Sequence, residues 1–301
     1  FTGTGIDIHD GDSISIIGNT LNDRFSTGYI QHGILATDST NIKILGNGLV
    51  GNDTGGGDNG TGAVGINVSG GVGSVIDGNY LSFFQQDIVV NGSLNTTISS
   101  NNLGYSVFDS LLLYGNTDTL VSNNYIDGPA TNINATFNSN LTITDNYLIL
   151  GDYNIYAANN ILLSILRNDI YGGEVYIFGS NGAVINNNMV SNSYRGVTID
   201  SSSNVSLSNN NFTDNNTGLS FWSNFNTVST GDVFNSNGTS IELDNSHNSF
   251  IDGATITSSG TGINITNGSD GTLVRGLNIS GGYIGIVLDG KNSSMQFVDK
   301  T

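Results

Sequence analysis

Three regularities in the sequence predict an all-β chain wound as a single right-handed parallel β-helix, a solenoid of about 13 coils. Apolar pairs recur at a spacing close to 22 residues, a closing apolar position follows most of them after 15 residues, and an asparagine stands two residues before that closing position in most coils. A repeat this short, with brief strands and no helical period, is too small for a propeller blade and lacks a leucine-rich pattern.

The first segment of each coil begins at Ile6, Ile34, Ile66, Ile88, Leu111, Ile133, Ile155, Val175, Val197, Leu219, Ile241, Ile263 or Ile286. From Ile66 onward the steps are 22 or 23 residues, with one of 20. The residue two places on is mostly apolar as well, as at Ile8, Val68, Val90, Leu113, Ile177, Ile199, Phe221, Leu243 and Ile265. Alternate residues face one side of a strand, so each coil sends both of these side chains inward. Winding the chain once per coil makes neighbouring strands parallel without a helical crossover.

The second segment closes the coil, as in Ile143-Thr144-Asp145-Asn146-Tyr147-Leu148. The column Asn19, Asn47, Asn79, Asn101, Asn124, Asn146, Asn168, Asn188 and Asn210 reads as a turn ladder, and it stops at Asp232, Ala254 and Leu277. Asn suits turns and tolerates left-handed backbone angles, and its amide can bond along a stack of identical rungs. The third segment is the corner back to the next coil. It takes seven residues from Leu81 to Ile88, but 13 from Leu21 to Ile34 and 17 from Leu49 to Ile66. Longer loops are therefore expected at one corner, over 22–33 and 50–65. They carry Asp23, Arg24, Phe25 and Tyr29, then Asp53, three glycines and Asp58. Asp53 and Asp58 with backbone carbonyls could hold calcium, a cation that takes oxygen ligands; no other cofactor is expected.

The charge balance limits partners. The net charge is −18, and the seven cations are Arg24, Lys43, Arg167, Arg195, Arg275, Lys291 and Lys300. Nucleic acid needs clustered cations, so it is excluded. No apolar run reaches the length of a membrane span, and none is inserted. There is no cysteine. Any export signal is expected to have been removed or to lie outside this stretch. Asn-x-Ser/Thr sequons include Asn52, Asn67, Asn91, Asn134, Asn211, Asn237, Asn264 and Asn292, all glycosylation candidates. Asn67, Asn134 and Asn264 fall between the two inward ladder positions and should face outward.

The Ile-x-x-Asn-x-Ile and Gly-Ile-x-Val coils resemble the parallel β-helix repeats of the NosD-like and pectin-lyase-like superfamily, and in character the Asn-rich surface proteins of archaea. The resemblance covers the whole chain. It implies the fold and, through some members, polysaccharide chemistry or copper handling. Polygalacturonase-like members pair an Asn-Thr-Asp with Asp-Asp, Gly-His-Gly and Arg-x-Lys motifs. Here only Asn116-Thr117-Asp118 occurs, and Asp118 falls at a turn position filled elsewhere by Asn95, Asn140, Asn204, Asn226 and Asn248. For copper, the soft or imidazole ligands His9, His32, His247, Met189 and Met295 fall in different coils.

No catalytic residue is therefore expected, and the chain reads as a non-enzymatic structural protein of an extracellular surface. A filament, sheath or surface layer built from copies of itself, joined end to end, is the leading form. The first coil carries Asp7, Asp10 and Asp12, and the last stretch Arg275, Lys291 and Lys300, which suits head-to-tail contact. Two alternatives stay open: a carbohydrate-binding or carbohydrate-active β-helix contacting cell-surface glycans, with Tyr125 and Tyr147 as a stacking surface, or a spacer in a larger adhesin.

Overall fold

A computed structural model describes residues 3–22, 30–51, 63–257, 259–290 and 293–298. All regular elements among them are strands, arranged in three parallel sheets that form a β-solenoid. The chain divides into two compact units, Phe1–Tyr153 and Asn154–Thr301.

In the first unit each turn supplies one strand to each sheet. Successive first-sheet strands are Gly3–His9, Ile30–Thr37, Val64–Ser69, Gln86–Asn91, Asp109–Tyr114 and Thr131–Thr136. Their register pairs Ile6 with Ile34, Ile34 with Ile66, Ile66 with Ile88, Ile88 with Leu111 and Leu111 with Ile133, as the spacing requires. The second unit repeats the winding, with first-sheet strands Glu174–Phe178, Arg195–Asp200, Thr217–Trp222, Thr239–Asp244, Thr261–Thr266 and Ile284–Leu288. Ile133, Ile155, Val197, Ile241 and Ile263 are all buried. Burying an aliphatic side chain of this size is worth about 1.5–3 kcal/mol, so the ladders carry the hydrophobic stabilisation. Phe212 and Phe234 stack at 4.8 Å in the second unit's core. Gly218 makes room for them: a Cβ there would lie 2.8 Å from the Ser240 carbonyl oxygen and 2.9 Å from the Phe234 ring.

The asparagine column forms the expected ladder. In the first unit the Asn79 backbone N–H and Nδ2 both donate to Asn101 Oδ1, at 2.9 and 3.0 Å, and Asn101 repeats this with Asn124. Each amide also donates to a backbone carbonyl of the preceding turn, as Asn101 Nδ2 does to Ile76 at 2.9 Å. In the second unit the ladder ends on a carboxylate: Asp232 Oδ1 accepts from the Asn210 N–H at 2.7 Å, and Oδ2 accepts from Ser229 Oγ at 2.7 Å. Unlike asparagine, Asp232 carries no side-chain amide to donate onward, and Ala254 follows it in the column.

Two further ladders line the other corners. The Asn116 N–H donates to Asn138 Oδ1 at 2.9 Å, and the Asn215 N–H to Asn237 Oδ1 at 3.0 Å. Within the predicted corner spans 22–33 and 50–65, residues 22, 30–33, 50 and 64–65 belong to strands. Asp23, Arg24, Phe25, Tyr29, Asn52, Asp53, Asp58, Lys291, Asn292 and Lys300 lie outside the described residues.

Candidate functional site

The outer face of the first sheet in the second unit gathers a set of chemistry-bearing side chains. Its parallel register makes three columns, one at the strand starts and two on the outward positions. The first runs Arg195, Thr217, Thr239, Thr261; the middle Tyr176, Thr198, Ser220, Glu242, Asn264; the last Phe178, Asp200, Trp222, Asp244, Thr266. Thr198 and Ser220 point outward by strand alternation, yet both are 0% exposed. Larger neighbours cover them. The Arg195 guanidinium leaves the first column and sits 4.3 Å from the centroid of Trp222, in the last column one turn on. It also lies 5.1 Å from the Tyr194 ring.

At the other side of this layer Tyr156 and Tyr176 stack at 5.8 Å with rings 13° apart. The Tyr176 hydroxyl donates to Asp200 Oδ2 at 2.7 Å. Burial, and then the bond to Asp200, raise the Tyr176 phenol well above its ordinary value, so it keeps its proton at neutral pH. Glu174 replaces the glycine that stands before the ladder residue in the next two coils, Gly196 and Gly218. Its carboxylate accepts a hydrogen bond from Thr198 Oγ1. Burial raises its pKa, opposed by the Thr198 bond and by the Arg195 charge. A carboxyl inclined to hold a proton, a phenol tied to a second carboxylate, an arginine and three aromatic rings thus share one surface. Such a surface can stack on the apolar face of a sugar, bond its hydroxyls and exchange protons with it.

The residues singled out from the sequence fare differently. Asp118 has a positive φ of 53°, like Asn95, Asn140, Asn204, Asn226 and Asn248 in the same turn position, and accepts from Asn140 Nδ2 at 2.7 Å. Asn116 belongs to a buried ladder. Tyr125 and Tyr147 are 40% and 42% exposed on the third sheet of the first unit, with centroids 5.6 Å apart. Asn67, Asn134 and Asn264 are half-buried at outward positions, and Asn91 and Asn211 are exposed. Asn237 is corrected as a glycan acceptor: it is buried, and its amide donates to the Phe212 carbonyl at 2.9 Å. The second-unit cluster was missed because its members come from successive coils and form no contiguous motif. The signal available was Glu174 in a glycine column and Arg195, Trp222, Glu242 and Asp244 among Ser and Thr.

Residues 159–297 match the family model described as periplasmic copper-binding protein (NosD). That span is a little under half of the chain and contains this cluster except Tyr156. None of the curated proteins matches the chain in sequence. Several solved structures share its fold at low identity. The A-module of mannuronan C-5 epimerase AlgE4 from Azotobacter vinelandii is 15% identical, with a TM-score of 0.56 over 98% of this chain and 91% of that one. The surface protein and adhesin PfbA of Streptococcus pneumoniae is 11% identical, with a TM-score of 0.62 over 95% of this chain and 91% of that one. The periplasmic alginate epimerase AlgG is 14% identical, with a TM-score of 0.56 over 89% of this chain and 77% of that one.

These likenesses correct one expectation. The absence of hydrolase and lyase motifs led to a non-enzymatic reading, but coils like these, across nearly the whole chain, also carry epimerases. Motif absence therefore does not make this fold inert. The resemblance to NosD-like chains implies copper handling, and the described histidines stand apart from one another. His9 pairs with Asp7 at 2.8 Å, and His247 Nδ1 lies 2.5 Å from Asp270. His32 aligns with Thr4, and His9 with Thr37, so the two imidazoles occupy different columns. Among the described residues no three His, Asp or Glu side chains are placed to hold a metal ion. No described helix is long and apolar enough to cross a membrane.

Proposed function

We propose that this chain is a carbohydrate-active β-helix protein of the cell envelope or extracellular space, holding a glycan on the outer face of the second unit's first sheet. The observation that carries the reading is the Glu174, Tyr176 and Asp200 set bonded across adjacent turns, beside the Tyr156–Tyr176 stack and the Arg195–Trp222 pair. The rings supply stacking surface. Glu174, with its pKa raised by burial, is the proton donor, and Asp200, which holds the Tyr176 hydroxyl, is the acceptor. Similar folds in proteins named as alginate epimerases and as a surface adhesin support both the glycan and the location.

The test is incubation of the chain with a panel of neutral, amino and acidic polysaccharides, followed by proton NMR of the sugar. New anomeric or ring-proton signals are expected with at least one polymer. Glu174→Gln and Asp200→Asn should each slow that conversion by about 10²-fold, the lower range for a lost acid–base group. No conversion of any polymer, or conversion indifferent to both substitutions, would sink the reading.

Self-association is a second reading, favoured by Tyr283, Ile284, Leu288 and Phe297, which are exposed large apolar side chains close together in the sequence of the second unit. Sedimentation velocity checks it, and a single monomeric species at every concentration would refute it.

A further inference from the structure

The cluster also bears on which glycans it accepts. Around the Tyr156–Tyr176 stack, the sheet face presents the carboxylates Asp200, Glu242 and Asp244 against one cation, Arg195. The other described cations of the second unit lie off this face. Arg167 is in the turn after Ser164–Leu166, and Arg275 belongs to the strand Thr272–Arg275, where its guanidinium pairs with Asp252. Arg195 itself lies over Trp222. Glu242 accepts from Ser220 Oγ at 3.4 Å, and neither it nor Asp244 is buried.

A polymer bearing one carboxylate or sulfate per sugar would bring like charges against the carboxylates of the strands Arg195–Asp200 and Thr239–Asp244. Like charges at contact distance in a partly desolvated site oppose binding strongly. The whole-chain charge of −18 acts in the same direction at longer range. Hydroxyls and ammonium groups, in contrast, donate to carboxylates, which only accept. Resting on the carbohydrate reading above, we infer that this face selects a glycan without carboxylate or sulfate groups, either uncharged or carrying free amines.

Isothermal titration of the full chain with three hexasaccharides separates the possibilities: a neutral mannose oligomer, a glucosamine oligomer and a mannuronate oligomer, each at 50 mM salt. The neutral or the amino oligomer should bind at least tenfold more tightly than mannuronate. Which of the two binds tighter distinguishes the uncharged from the amine-bearing class. In the double variant Glu242→Gln with Asp244→Asn, mannuronate affinity should rise at least threefold relative to that of the neutral oligomer. Mannuronate binding as tightly as the best of the others, or failing to respond to the double variant, would overturn the inference. Silence of all three oligomers would instead overturn the carbohydrate reading on which it rests.

Discussion

Asp87 is the most exposed liability of a single residue in this fold, because it is fully buried and neither carboxylate oxygen has a hydrogen-bond partner. It stands one residue before the ladder position Ile88. The equivalent positions in nearby coils hold Gly65, Ser110 and Asn132, and the latter two are bonded: Ser110 to Ser106 at 2.8 Å, and Asn132 to the Gly128 N–H at 2.9 Å. Burial pushes the Asp87 pKa well above the carboxylate range. Its folded value thus exceeds its unfolded value, and the folded state binds the proton more tightly. The corresponding stability is complete below about pH 4 and is lost as pH rises toward the folded pKa. Asp87→Asn removes that titration. The variant should be more stable than the parent at pH 7 by about 1–3 kcal/mol, the scale of an unsatisfied buried group, with the difference shrinking toward pH 4. Urea unfolding at both pH values checks this, and an equal effect at the two would refute the assignment.

At the scale of the element, the asparagine ladder ties successive turns together more specifically than the apolar columns do. Asn101 accepts from both the N–H and the amide of Asn79, and donates to Ile76 and Asn124. Asn101→Ala leaves these buried groups unpaired, at about 1–3 kcal/mol each, and should lower unfolding stability by at least about 2 kcal/mol. Asn101→Asp keeps the acceptor that Asp232 supplies in the second unit, but loses both donations and sets a carboxylate against the Asn124 oxygen. It should be at least as damaging at neutral pH. Calorimetry of both variants decides, and a loss below 1 kcal/mol in each would show the ladder to be dispensable. This column was legible in the sequence because one residue type repeats at one offset. The Ser93–Asn116–Asn138 ladder was not, because serine and asparagine are mixed there without a fixed order. The cluster around Tyr176 was less legible still. A strand shows which residues face outward, but not that Arg195 reaches Trp222 across a neighbouring turn, since that depends on side-chain length and register together.

For the whole molecule, a formal charge of −18 on 301 residues sets a self-repulsion that any contact between copies must overcome. The seven cations cannot neutralise 25 acids, so head-to-tail pairing of acidic and basic segments would operate inside a net repulsive field. Salt resolves the competition. With a Debye length of about 30 Å at 0.01 M and about 10 Å at 0.1 M, raising ionic strength weakens both the long-range repulsion and any pairing of Asp7 or Asp10 with cations of another copy. An association led by the apolar side chains Tyr283, Ile284, Leu288 and Phe297 should therefore strengthen from 0.01 to 0.3 M salt, with the sedimentation coefficient rising. An association led by ion pairs should weaken over the same range. Thermal stability of the monomer should rise with salt in either case, because screening relieves repulsion among its own carboxylates. A melting temperature that falls with salt would mean that attractive charge pairs, such as Arg275 with Asp252, outweigh the net charge in holding the coils together.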